Sequence, residues 1–258
     1  MTTTNKLIVF LMTGVLLLNG CGKKETASAP DTPQETVECV MESIKDLDME
    51  TLNHYTDNYV QTYHNWIGVP VENEYRTFNE LLQPRSKHSN RYQSAYKLDQ
   101  KIMENLTWRI TDVREGSDTA EIDMEITNID MSQVMGIYTT QILENMLESP
   151  GIGITQFVKD MSELAAAKDT LISIIDGLDD SDISTINVTV SAYQDSGQWK
   201  IHLTHDFINA FSGNMYTDDY AADIEQHIDE LEEQMDRKAD QWAESIENRV
   251  NKWAEQFE

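Results

Sequence analysis

The sequence predicts an α+β fold, an antiparallel sheet with helices packed on it, and three patterns carry that prediction. Residues 107–114 and 119–130 flank the turn Glu115-Gly116-Ser117-Asp118, and in the second arm Ala120, Ile122, Met124 and Ile126 alternate with Glu121, Asp123, Glu125 and Thr127. Ile186, Val188, Val190 and Ala192 alternate in the same way, turn at Asp195-Ser196-Gly197-Gln198 and return through Trp199, Ile201 and Leu203. Period-two alternation with one apolar face describes half-buried strands. Amphipathic helical stretches precede, interrupt and follow these hairpins, so cover for the apolar face is at hand. The expected organisation is an α+β domain over 32–216, a helical insertion at 132–178 within it, and a long amphipathic helix over 217–258.

Ahead of that domain, Lys6 and the apolar run 7–18 have the form of an export signal, too short for the ~20 residues of a spanning helix. Leu18-Asn19-Gly20-Cys21 follows. These residues resemble a bacterial lipoprotein signal, in which 1–20 is removed and Cys21 carries the lipid, palmitate included. The resemblance implies a protein held on the extracytoplasmic face of a cell membrane, with membrane lipid as its first partner. Residues 21–31, rich in Gly, Lys, Ser, Ala and Pro, read as the tether.

Composition limits the partners. The formal charge is −27 and becomes −28 once Lys6 is removed with the signal. Such a surface is repelled by phosphate backbones and anionic headgroups, so no nucleic-acid partner is expected and membrane residence has to come from the lipid. With Cys21 acylated, Cys39 is the other cysteine of the two and no intramolecular disulfide is expected.

Thr32-Pro33-Gln34-Glu35 has capping-box spacing, and Val37, Val40, Met41, Ile44 and Leu47 follow on one helical face. Asp48 caps a second helix, with Leu52, Tyr55 and Tyr59 or Val60 inward. Residues 65–71 read as a break, Phe78, Leu81 and Leu82 as a helical stretch ending at Pro84, and 92–105 as a further helix. In the insertion, 132–148 and 155–176 are helical and separated by Ser149-Pro150-Gly151-Ile152-Gly153.

The last helix, 218–258, spans ~60 Å. Ile224, Ile228, Leu231, Met235, Ala239, Trp242, Ile246, Val250, Trp253 and Phe257 step 4-3-4 and repeat every eleven residues, a period that keeps the stripe nearly straight. Trp242, Ile246, Val250, Trp253 and Phe257 are the residues expected to meet a partner, such as an envelope protein. Fourteen acidic residues against four basic ones favour packing on the chain itself or on a basic partner over a symmetric homodimer.

Pro33-Gln34-Glu35-Thr36-Val37, the stretch 43–52, Ser196-Gly197-Gln198-Trp199-Lys200-Ile201 and Phe207-Ile208-Asn209-Ala210-Phe211 together resemble the nuclear transport factor 2-like cone of small bacterial lipoproteins. The resemblance covers 32–131 and 183–213. It implies a cone with a cavity, and in enzymes of that fold an acid-base pair inside it, for which His54, His64 and Tyr63 are the candidates here.

Little else suggests chemistry. His202, His205 and Asp206 do not share a strand face, and Asp176, Asp179, Asp180 and Asp182 lack EF-hand order, so neither group is expected to hold a metal. No phosphate-binding glycine loop, nucleophile elbow or zinc-binding helix motif is present, and no cofactor is expected. Trp66, Tyr92, Tyr96 and Trp108 are the aromatic group suited to the mouth of a small-molecule pocket. The favoured reading is a non-catalytic ligand-binding or protein-interaction lipoprotein. The alternatives are a cone-type enzyme and a structural partner of an envelope protein acting through the last helix.

Overall fold

The computed structural model describes residues 29–57, 60–64, 70–74, 78–82, 84, 86–148, 164–179, 182–217 and 219–254, and their side chains except at 60–64, 70–74, 79, 164–167, 242 and 245–254. Its centre is a four-stranded antiparallel sheet in the order β3-β4-β5-β6, made of β3 (Thr107–Glu115), β4 (Thr119–Ile129), β5 (Ile183–Asp195) and β6 (Gln198–Ile201). The long pairing of β4 with β5, from Thr119↔Tyr193 to Ile129↔Ile183, is its spine. This register puts Ile122 opposite Val190 and Met124 opposite Val188, so one face is continuously apolar. Ile122, Met124, Ile126, Val190 and Ile201 are all buried there, as the alternation predicts.

The other sheet face is polar and paired within itself. Arg109 meets Glu125 at 2.7 Å, Arg114 bonds Asp112, Glu121 and Asp123, and Thr127 bonds Thr185 at 2.8 Å across β4 and β5. Hydrogen bonds from Arg114 and from Thr189 hold the Asp123 carboxyl down at about 2.

Helices α1 (Pro33–Lys45), α2 (Met49–Tyr55), α4 (Asn90–Met103) and α7 (His205–Phe211) cover the apolar face. Their starts follow local rules. The Thr32 hydroxyl accepts from the Glu35 amide at 3.1 Å, while the Glu35 carboxylate reaches back to the Asp31 amide at 2.9 Å, one residue beyond the reciprocal partner of a capping box. Asp48, Ser89 and Thr204 cap α2, α4 and α7. Val37, Val40, Met41 and Ile44 are buried along α1, and Phe207 and Phe211 are fully buried in α7, their rings edge-on at 5.5 Å.

Three expectations are corrected. Helix α2 ends at Tyr55, where Thr56 turns extended and bridges Ile201, so Val60 is not on its inner face, and Tyr59 lies outside the described residues. Of the expected break at 65–71, residues 65–69 lie outside the described residues, while around them β1 (Val60–His64) pairs antiparallel with β2 (Pro70–Glu74) in a separate two-stranded sheet that was not expected, after which come Phe78 and α3 (Asn79–Leu82). Val60, Thr62, Tyr63 and Val71 favour extended backbone, which explains the outcome. Third, Cys39 is buried in α1 and disulfide-bonded, with its partner outside the described residues, where a lone thiol was expected.

The insertion and the last helix form a further layer. Helix α5 (Met131–Glu148) packs against α6 (Leu164–Gly177), α6 against α4, and α8 (Ala222–Ala254) against α5. Val134, Ile174 and Ile175 join the same buried cluster as the sheet. The junction of β4 with α5 is held by Gly213 at φ +67°: its carbonyl accepts the Met131 amide at 2.7 Å, and a Cβ there would lie 2.0 Å from the Ile129 oxygen.

Candidate functional site

The aromatic group expected at a pocket mouth is divided. Tyr92 and Tyr96, one helical turn apart on α4, stack with ring centres 6.3 Å apart, and Tyr96 is exposed. Trp108 on β3 is half-buried under α1, and its indole N–H donates to the Glu38 carboxylate at 2.7 Å. The indole is thereby used to tie β3 to α1. Trp66 lies outside the described residues.

The residues with acid-base character meet elsewhere, where the end of α2 meets β6. Asp57 accepts the Leu203 amide at 3.0 Å through one carboxylate oxygen and contacts His202 Nδ1 through the other. His54 lies 3.0 Å from Gln198, and the side chains of Tyr63 and His64 lie outside the described residues. A carboxylate that also holds a backbone amide fixes the imidazole ring, and the His202 side chain is half exposed. This joins the segment after α2 to the strand end; Asp57 was not singled out in the sequence, since only the parallel bridge from Thr56 to Ile201 brings it to His202. His205 faces Asp206 and Tyr216 instead, so the His202, His205 and Asp206 group does not assemble. Asp176 pairs with Lys101 at 2.9 Å and Asp182 accepts the Asp179 amide at 2.7 Å, while Asp180 is outside the described residues. Among the described residues no cluster of three His, Cys, Asp or Glu is arranged to hold a metal.

A second polar group lies in the seam between α3, α4 and α6. Glu80 bonds Arg91 at 2.7 Å and faces Lys168 at 3.9 Å, with Asp99 beside them. Burial pushes the Asp99 carboxyl up to about 7, against the pull of Lys168 and with the push of Glu80. Burial also acts on Glu80, but its hydrogen bond from Arg91 and the charges of Lys168 and Arg91 outweigh it and hold the pKa below the ordinary value. Lys101, bonded to Asp176 and Glu104, crosses the same seam.

The long helix α8 is the third feature. Ile228 and Leu231 are buried against the body, and Gly136 of α5 lets the helices approach closely, since a Cβ there would lie 2.6 Å from Ile224. His227 meets Glu144 at 3.2 Å and Lys238 donates to the Leu147 carbonyl at 2.6 Å. Beyond that point the described side chains are exposed. Ala239, a stripe position, is exposed, as are Asp240, Gln241, Ala243 and Glu244, yet the helix continues to Ala254. Trp242, Ile246, Val250 and Trp253 lie on this helical backbone, with side chains outside the described set, and Phe257 lies outside the described residues altogether.

Leu18-Asn19-Gly20-Cys21 also lies outside the described residues. Among those described, no helix is long and apolar enough to cross a membrane. No family model, curated protein or solved structure matches the chain.

Proposed function

We propose that the chain is a lipid-anchored lipoprotein on the extracytoplasmic face of a cell membrane, whose body presents the outer part of α8 to a protein partner in the envelope. The observation that supports this most is the change along α8, from buried Ile228 and Leu231 to exposed Ala239 on one apolar stripe. A stripe that outruns its cover belongs to an interface, because several hundred Å² of apolar surface is seldom left in water. The anchor rests on the resemblance of Leu18-Asn19-Gly20-Cys21 to a lipoprotein signal. The body's order of two capped helices followed by an antiparallel sheet supports a variant of the nuclear transport factor 2-like cone, with α5, α6 and α8 as additions.

Acylation and a disulfide are alternative fates for Cys21, because the chain has two cysteines and Cys39 is oxidised in the structure. A thioether to lipid leaves no thiol for exchange. The anchored form therefore carries a reduced, buried Cys39.

A photo-cross-linker at Ala239, on the stripe, or Ala243, beside it, in intact cells, with the exposed Glu115 as control, tests the interface. Protein adducts from the α8 positions and none from Glu115 are expected. Equal yields from both would overturn it.

A further inference from the structure

We propose that the partner of the outer part of α8 is the same segment of a second copy, paired in parallel and in register; this rests on the reading of α8 as an interface. Taken over the whole helix the acidic charge argues against self-pairing, but the charge is unevenly placed. Residues 218–236 hold nine Asp or Glu and no Lys or Arg, whereas 237–258 hold five acidic and four basic residues. The acidic half is the half that lies along α5, and the half beyond it is close to neutral.

The outer half also has two flanks of opposite sign. Arg249 and Glu247 belong to this half; eleven residues before each, in or at the edge of the part that lies along α5, stand Lys238 and Asp236 of the same signs, and the apolar stripe has the same period. Residues eleven apart share a face of a straight helix. On this period the basic pair flanks the stripe on one side and the acidic pair on the other.

The signs select the orientation. In a parallel pair the left flank of one helix faces the right flank of its neighbour, so Arg249 of each copy stands at nearly the level of Glu247 of the other. An antiparallel pair would set basic flank against basic and acidic against acidic. A parallel pair also has its two-fold axis along the helices, which lets both copies keep their anchors in one bilayer. From Ala239 to Ala254 the segment is ~24 Å long. Lys238 already closes α5 within its own chain, so the pairing begins just beyond it.

Single cysteines at Ala239, Ile246 and Trp253, in the full acylated chain with Cys39→Ala and reconstituted in vesicles, test this. Each variant is expected to link to itself on mild oxidation, while a mixture of Ala239→Cys with Trp253→Cys gives no mixed product above background. Mixed product without self-linking would overturn the parallel pairing, and failure of all three variants to link to themselves would overturn the second copy as occupant. Without introduced cysteines, Arg249→Glu should weaken self-association about fivefold and Glu247→Arg should restore it in the double variant. Absence of dimer at every concentration, with photo-adducts to another protein retained, would sink this proposal and leave the interface reading standing; absence of both would sink the two together.

Discussion

The Nζ of Lys238 donates to the Leu147 carbonyl at 2.6 Å and approaches that of Met146 at 3.4 Å, so one side chain of α8 closes the open C-terminal end of α5. The carbonyls there carry the negative end of the helix dipole, and a cation beside them is favourable. Lys238→Met should keep the stem's packing and lose this bond, costing ~0.5–1.5 kcal/mol in urea unfolding. Truncation immediately after Lys238 should leave the melting curve nearly unchanged, since the described cover of the apolar stripe ends before Ala239. A collapse of the fold on that truncation would show the outer helix to be part of the core.

Glycine at 213 and 136 sets two junctions for different reasons. Gly213 combines positive φ with a carbonyl 2.0 Å from the place of a Cβ, so Gly213→Ala should cost ~3 kcal/mol or more and lower expression. Gly136→Ala meets only side-chain atoms of Ile224 and Tyr220, and should cost ~1–2 kcal/mol while loosening α8 from α5. Amide exchange across Ile224–Leu231 separates the two cases: it should rise selectively for Gly136→Ala and globally for Gly213→Ala.

The sheet, the caps at Thr32 and Asp48 and the course of α8 were legible because each is a short-range pattern that packing reinforces. The β1–β2 hairpin was not, because Val60–His64 and Pro70–Glu74 are short, and helical and extended readings compete over five residues. The polar groups around Asp57 and Asp99 were invisible for another reason. Asp57 meets His202 across 145 positions and Asp99 meets Lys168 only through the packing of α4 on α6, and sequence spacing carries no trace of such contacts.

Removing the Asp57 carboxylate should therefore act on the strand end and little else. Asp57→Ala leaves the Leu203 amide without its acceptor, costs ~1–2 kcal/mol and raises exchange at Leu203. Unaltered Leu203 exchange would show that the bond does not hold β6.

Acylation decides the state of Cys39. The anchored protein, unfolded in denaturant, should show one reactive thiol, assigned to Cys39 by mass mapping. A Cys21→Ser variant should lose lipid labelling and the membrane fraction and keep that thiol. Label retained by Cys21→Ser would end the lipoprotein reading, and a disulfide in the labelled wild type would contradict the exclusion of one fate by the other.

Burial raises the Asp99 carboxyl from 3.8 to about 7 in the folded chain. A raised acid favours its protonated form in the fold, so the stability it contributes is fully present below pH ~4, falls as the unfolded chain ionises, and has been lost once pH passes ~7. At ~1.4 kcal/mol per pKa unit, the rise, which already includes the pull of Lys168 on the carboxylate, caps the effect at ~4 kcal/mol. Glu80 runs the opposite way: its lowered pKa gives stability that is present above the ordinary carboxylate range and lost in acid. Comparing wild type with Asp99→Asn cancels that background. The two should be of similar stability at pH 4, and the variant should gain on wild type by ~1–3 kcal/mol between pH 4 and pH 7, then run parallel to it above. A difference that stays constant from pH 4 to pH 8 would show that Asp99 titrates normally and that water reaches the seam between α4 and α6.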